Sequence, residues 1–197
     1  MVCVAVSALD DASTGTGRQP LDLPYLALFC SRRCPGSLII RAQDLAYALR
    51  AAGVPVVGGF HTSVEKECLR VLLGGAGPLA LVPARGMEGM RLPAVWRAPL
   101  AEGRLRLLSP FGPNERRVTA ALSVARNRYV AELAAAVLVI YAHPGGGTET
   151  LCRELLAAGK PVYTLADPAN ALLVALGARR VQVGEPLDWL PIAPEVG

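Results

Sequence analysis

The chain has 197 residues, of which 52% are apolar, and a net charge of +4; this is enough to bury one sizeable core and short for several domains. No run of about 18 uncharged apolar residues is present, which argues against a membrane-spanning helix. The N-terminus lacks the basic-then-apolar pattern of a secretory leader, so a cytoplasmic protein is expected.

In chain order, residues 1–24 read as an N-terminal extension. Its apolar start, MVCVAVSAL, is either an edge strand or a disordered lead, and DDASTGTGRQP, rich in turn formers, reads as a flexible connection. From Leu26 onward, short apolar runs alternate with segments of helical periodicity. Strands are expected at Leu26 to Cys30, Val54 to Gly58, Leu79 to Val82, Leu105 to Leu108, Val137 to Tyr141, Val162 to Leu165 and Arg179 to Val183. Helices are expected between them at Ser37 to Ala52, Thr62 to Leu73, Val118 to Ala136, Thr148 to Ala158 and Pro168 to Leu176. Gly53 and Gly159 follow their helices as C-terminal stops, and Asp167 precedes Pro168 as a cap. The alternation predicts an α/β fold: a single Rossmann-like three-layer domain over residues 25–183, with a mostly parallel sheet covered by helices on both faces. Residues 184–197, with Pro186, Pro191 and Pro194, form a C-terminal tail.

Open parallel sheets bind ligands beyond the carboxyl ends of their strands, where helix N-termini present unpaired N–H groups. The segments after the expected strands are CSRRCPGS, GGFHTS, PARGMEG, SPFGPNERR and YAHPGGGTET. The last, His143 to Thr150, carries the strongest local signal, because three consecutive glycines ahead of a helix let a phosphate approach the backbone. It matches neither a Walker A loop nor GxGxxG. Gly58 and Gly59 form a second turn, with Thr62 or Ser63 as the helix cap. His61 and His143 fall in these two loops. Arg32, Arg85, Arg116, Arg117, Arg126 and Arg128 all belong at or near the same rim. Of the 20 basic residues only Lys66 and Lys160 are lysine. Arginine grips phosphate bidentately, so the bias suits a phosphate-bearing partner. Cys3, Cys30, Cys34, Cys68 and Cys152 are odd in number and scattered, and read as free thiols. No metal and no cofactor is expected.

The stretches RNRYVAEL, VLVIYA, the GGGT turn and LLAAGKPVYTL, in that order, resemble the DNA-processing protein A (DprA/Smf) family. More widely they resemble the SLOG superfamily, which also holds the LOG phosphoribohydrolases and the molybdenum cofactor carrier proteins. The likeness extends back through FCSRR, VVGGFHTSVEKE and VPARGMEGMRLP, covering residues 26–183. The resemblance implies that Arg126, Asn127 and Arg128 form the helix whose arginines approach phosphate. It also implies that Ser31 and Arg32 stand in the first-strand motif, with Cys30 in place of a glycine. In the second-strand motif, Gly59 and the acidic Glu65 are kept, while an arginine and a second glycine are lost.

On this reading the ligand-contacting set is Ser31, Arg32, Gly58, Gly59, His61, Arg85, Gly86, Arg126, Asn127, Arg128, Pro144, Gly145, Gly146, Gly147 and Thr148. The expected function is binding of a nucleotide or single-stranded DNA through its phosphates, in DNA processing, by a homodimer with the helix from Val118 as a candidate surface. The enzyme alternative is a LOG-type nucleoside monophosphate phosphoribohydrolase; it meets Leu151 where the resemblance requires the glutamate. A small-molecule carrier is a third reading. Aromatics are 5% of the chain, so base stacking is expected to be poorly provided for.

Overall fold

The computed structural model describes residues 14–16 and 22–190. These residues form one eight-stranded sheet, β1 (Thr14–Thr16), β2 (Tyr25–Cys30), β3 (Val56–Gly58), β4 (Leu79–Leu81), β5 (Leu105–Ser109), β6 (Ala134–Tyr141), β7 (Val162–Leu165) and β8 (Arg179–Val181). The strand order is β1-β5-β4-β3-β2-β6-β7-β8, and every adjacent pair is parallel. The α/β class and the Rossmann-like sheet expected from the alternation are therefore what the chain adopts.

Period-two alternation along β2 divides the core. Leu26, Leu28 and Cys30 face one layer with Leu38, Leu45 and Leu49 of α1 (Gly36–Ala51) and Val64, Cys68 and Leu72 of α2 (Ser63–Leu73). Tyr25, Ala27 and Phe29 face the other, with Tyr129 and Val130 of α4 (Ala120–Leu133) and Leu151 and Cys152 of α5 (Gly147–Ala157). All six β2 residues are buried, as the central strand of a sheet covered on both faces requires. Two short helices, α3 (Arg97–Ala101) and α6 (Ala171–Ala175), complete the layers.

The differences from expectation have local causes. The helix expected to run to Ala136 stops at Leu133, and Ala134 enters β6 with no intervening loop. Alanine is the best helix former, but here Tyr25 pairs with Ala134 and Leu26 with Ala136, so the ladder overrides propensity. The segment read as a flexible connection supplies a strand: Thr14 to Thr16 pair with Leu107 to Ser109 at the sheet edge. The apolar stretch 1–9, offered as an edge strand or a disordered lead, lies outside the described residues. The last strand ends at Val181 rather than Val183. Beyond it, Leu187 and Leu190 of the tail pack on the core, and residues 191–197 lie outside the described set. Among the described residues no helix is long and apolar enough to cross a membrane.

Candidate functional site

The chain runs outward from β2 through β3 and β4 to β5, then crosses back to place β6 on the other side of β2. The direction of winding reverses between β2 and β6, and the loops after these strands part there to leave a crevice, the place where ligands bind in such sheets. A cleft of about 760 Å³ opens at this point, walled by Ser31 and Arg32 after β2, His143 and Gly146 after β6, Thr148 and Leu151 of α5, and Asn127 and Arg128 of α4.

Its glycine wall is built by α5. Gly145 takes φ +72°, a conformation that an L side chain resists. The Glu149 carboxylate folds back to accept the Gly145 N–H at 2.7 Å while Arg153 Nε donates to its other oxygen at 2.8 Å. These two donors hold the Glu149 carboxyl below the ordinary carboxylate range. Helix geometry leaves the first-turn N–H groups at Gly147 and Thr148 without intrahelical partners, at the positive end of the dipole, and both residues line the cleft. Opposite them, Ser31 Oγ accepts the His143 N–H at 2.9 Å, and the Ser31 N–H donates to Tyr141 O at 2.9 Å, so the two loops are tied across the switch point. Arg32 is exposed and makes no hydrogen bond or ion pair with any described residue.

A second, buried layer holds this wall in place. Thr62 caps α2 by accepting the Glu65 N–H at 3.2 Å, and Glu65 returns the bond to the Thr62 N–H at 3.2 Å, a capping box. The same carboxylate also accepts the N–H groups of Cys30 and His61, each at 2.9 Å. Burial alone would raise the Glu65 carboxyl, but the His61 side chain and these backbone donors outweigh it and hold it below its ordinary value. Arg126 is 1% exposed. Its Nη1 donates to Val82 O at 3.3 Å, its Nε donates to Asn127 Oδ1 at 2.8 Å, and its Nη2 lies 3.0 Å from His61 Nδ1. Burial depresses the guanidinium, and the Glu65 charge opposes that shift.

Glu65 thus gives a pH-dependent stability. A carboxyl with its folded value below its unfolded one of about 4.5 contributes fully above that pH, and the contribution is lost as pH falls through the folded value. Glu65→Gln is expected to cost on the order of 3 kcal/mol near neutral pH, as the loss of one member of a buried ionic cluster does. In thermal melts its difference from wild type should shrink below about pH 4.5; a difference constant down to pH 3 would contradict this assignment.

The sequence-derived residues fall into three groups. Ser31, Arg32, His61, Asn127, Arg128, Gly146, Gly147 and Thr148 line the cleft. Gly59, Arg85 and Arg126 face a neighbouring cleft, which also reaches Arg32 and His61. Gly58, Gly86, Pro144 and Gly145 line neither. Gly58 backs the Phe60 ring, and Gly86 donates to Glu115 O at 2.8 Å in the 110–115 loop. Arg128, expected to meet phosphate, is paired bidentately with Glu154 at 2.8 and 2.9 Å on the cleft wall. Arg126, also expected there, is a buried strut beneath the β3–α2 turn. Reading the sequence missed the roles of Glu65 and Glu149. For Glu65 the Thr-x-x-Glu spacing was the available signal; for Glu149, an acid in the first turn after a glycine run was a weaker one.

The carboxylates near the cleft are each engaged. Glu65 is buried on backbone donors, Glu149 holds the Gly145 turn, Glu154 pairs with Arg128, and the exposed Glu88 lies 3.5 Å from Arg116. Leu151 occupies the cleft wall with an apolar side chain. Among the described residues no group of His, Cys, Asp or Glu is placed to hold a metal ion.

The fold and this crevice define a Rossmann-like α/β domain with its cleft at the switch point. The chain belongs to the DNA recombination-mediator protein A family, whose sequence model matches residues 15–182. Its fold is similar to that of DNA processing protein A from Streptococcus pneumoniae, with 21% identity and a TM-score of 0.65 over 81% of this chain and 58% of that one. It is similar also to DNA processing protein A from Helicobacter pylori, a structure described for its single-stranded DNA binding mode, with 20% identity and a TM-score of 0.64 over 81% of this chain and 76% of that one. The molybdenum cofactor carrier protein of Chlamydomonas reinhardtii shares the fold at 16% identity and a TM-score of 0.57, over 80% of this chain and 89% of that one. No curated protein sequence matches the chain.

Proposed function

We propose that this protein binds single-stranded DNA through its phosphates at the switch-point cleft, in DNA processing. The observation that carries the reading is the pairing of free α5 N–H groups at Gly147 and Thr148 with Arg32, which has no partner among the described residues, across one open cleft. A phosphate oxygen satisfies the helix N–H groups while the guanidinium takes the remaining charge. Arg33 on the same cleft is likewise exposed and without a partner among the described residues, which extends the basic track along a backbone. The family membership supports the same reading, as does the single-strand binding described for the Helicobacter pylori structure.

Hydrolysis of a nucleoside monophosphate is disfavoured by the arrangement, because Leu151 faces the cleft and the nearby carboxylates are committed elsewhere. The test is a gel-shift comparison of single-stranded and duplex DNA of one length, together with chromatography of a nucleoside monophosphate incubated with the protein. Preferential retention of the single strand, with the monophosphate recovered intact, is expected. Release of free base would transfer the cleft to the hydrolase reading.

A further inference from the structure

Beside the first cleft lies a second of about 520 Å³, of different character. Its surface is apolar, formed by Phe60, Leu69, Leu81, Met90, Val95 and Trp96, and its rim is basic. Lys66 on that rim is exposed and unpartnered among the described residues, and Arg85 gives only its Nε, to Gly86 O at 3.2 Å. The two clefts share Arg32, His61, Val118 and Ser123 as a common wall, so occupants of the two would be neighbours.

Phe60 forms the buried floor of this cleft, 4% exposed and packed in the core. It is the one described non-glycine residue with a positive φ, +45°, a conformation that costs an aromatic residue energy and that clusters at ligand sites. The strain is accommodated by Gly58, where a Cβ would meet the Phe60 ring at 3.0–3.3 Å. The Phe60 ring packs over Gly58 beneath the cleft, and the half-buried Trp96 is brought to the cleft wall by the short 3₁₀ turn Ala94–Trp96.

We propose that this second cleft is a nucleobase subsite: a base of the same single strand whose phosphate sits in the first cleft packs against the half-buried Trp96 and Met90. The proposal rests on the single-strand reading and adds to it. A polynucleotide alternates anionic and flat apolar groups along its length, and the adjoining clefts offer an anion site and a flat apolar site in the same succession. Lys66 and Arg32, without partners among the described residues, supply the complementary charge at the entrance. A sparse aromatic content leaves stacking open where the fold brings one accessible aromatic, Trp96, to a cleft beside the anion site.

The experiment compares a labelled oligothymidylate with an oligomer of equal length built of abasic sites, which keeps the phosphates and removes the bases. Wild type should bind the abasic strand about tenfold more weakly, the effect of losing one stacked base. Trp96→Leu, which keeps an apolar side chain where Trp96 packs on the core, should bind both strands alike, at the wild-type abasic level. With Trp189→Phe leaving Trp96 as the sole tryptophan, its emission should be quenched by oligothymidylate and not by the abasic strand. Equal affinity of wild type for both strands, with Trp96 emission unchanged, would overturn the base subsite and leave phosphate binding intact. Failure of either strand to bind at low salt would remove the single-strand reading and the subsite with it.

Discussion

Gly59→Ala is expected to cost about 3–5 kcal/mol of stability. A Cβ at position 59 would lie 1.4 Å from Arg126 Nη1, 2.0 Å from Cζ and 2.7 Å from Nε. An arginine tip at the surface would swing away at little cost. Arg126 is 1% exposed, and moving it breaks its bonds to Val82 O and Asn127 and its contact with His61. A displaced guanidinium also leaves the buried Glu65 without the charge that faces it. Because the clash is specific, it is separable: in an Arg126→Ala background the same Gly59→Ala change should cost little. Urea unfolding of the four proteins gives the coupling directly. Additive costs would show that Gly59 and Arg126 do not oppose one another as described.

Gly147→Asp has the opposite character, with the fold kept and the ligand lost. Position 147 is the first residue of α5, where a Cβ would meet nothing within 4 Å. An acidic side chain in the first helical turn stabilises a helix by about 0.3–1 kcal/mol through the dipole, so the melting temperature should hold or rise slightly. The same carboxylate sits where a phosphate would be bound and repels it across the cleft. A loss of single-strand affinity of at least about tenfold is expected, on the scale of one charge-assisted contact turned repulsive.

Much of the fold was legible because the sequence alternates on two scales. Apolar runs such as LALFC and VLVIY, bounded by turn formers, can only be strands buried on both faces, and LIIRAQDLAYAL repeats at helical spacing. What escaped was decided by pairing rather than propensity. Thr14 to Thr16 carry no apolar signal, and only the exposed edge of β5 makes them a strand. Ala134 to Ala136 read as helix until β2 recruits them. The short α3 contains Pro99, and the segment from Pro83 to Trp96 reads as loop, so neither gave a periodic pattern.

The candidate site was legible in its loops and not in its layers. The glycine run, Ser31, Arg32 and the RNR segment all lie near the carboxyl ends of the strands, where parallel-sheet topology puts chemistry. Which arginine meets solvent was not readable, because charge alone marks an arginine as surface. Arg126 is buried because Gly59 vacates the space its guanidinium fills, the Val82 carbonyl and Asn127 accept its N–H groups, and the Glu65 charge faces it. Arg32, two residues beyond the last buried position of β2, is exposed and has no partner among the described residues. The positive φ of Phe60 beneath the second cleft has no local signal in the sequence beyond the adjacent glycines.

Phosphates are expected to bind between Arg32 and the N-terminus of α5. Fluorescence anisotropy of a labelled single strand, titrated with wild type and with Gly147→Asp over a series of salt concentrations, tests it most directly. For about three to four neutralised phosphates, at roughly 0.7 per phosphate on a single strand, log affinity should fall against log salt with a slope of about −2 to −3. The variant should bind weakly even at the lowest salt. Wild-type binding that is absent at low salt, indifferent to salt, or unchanged by Gly147→Asp would contradict the account.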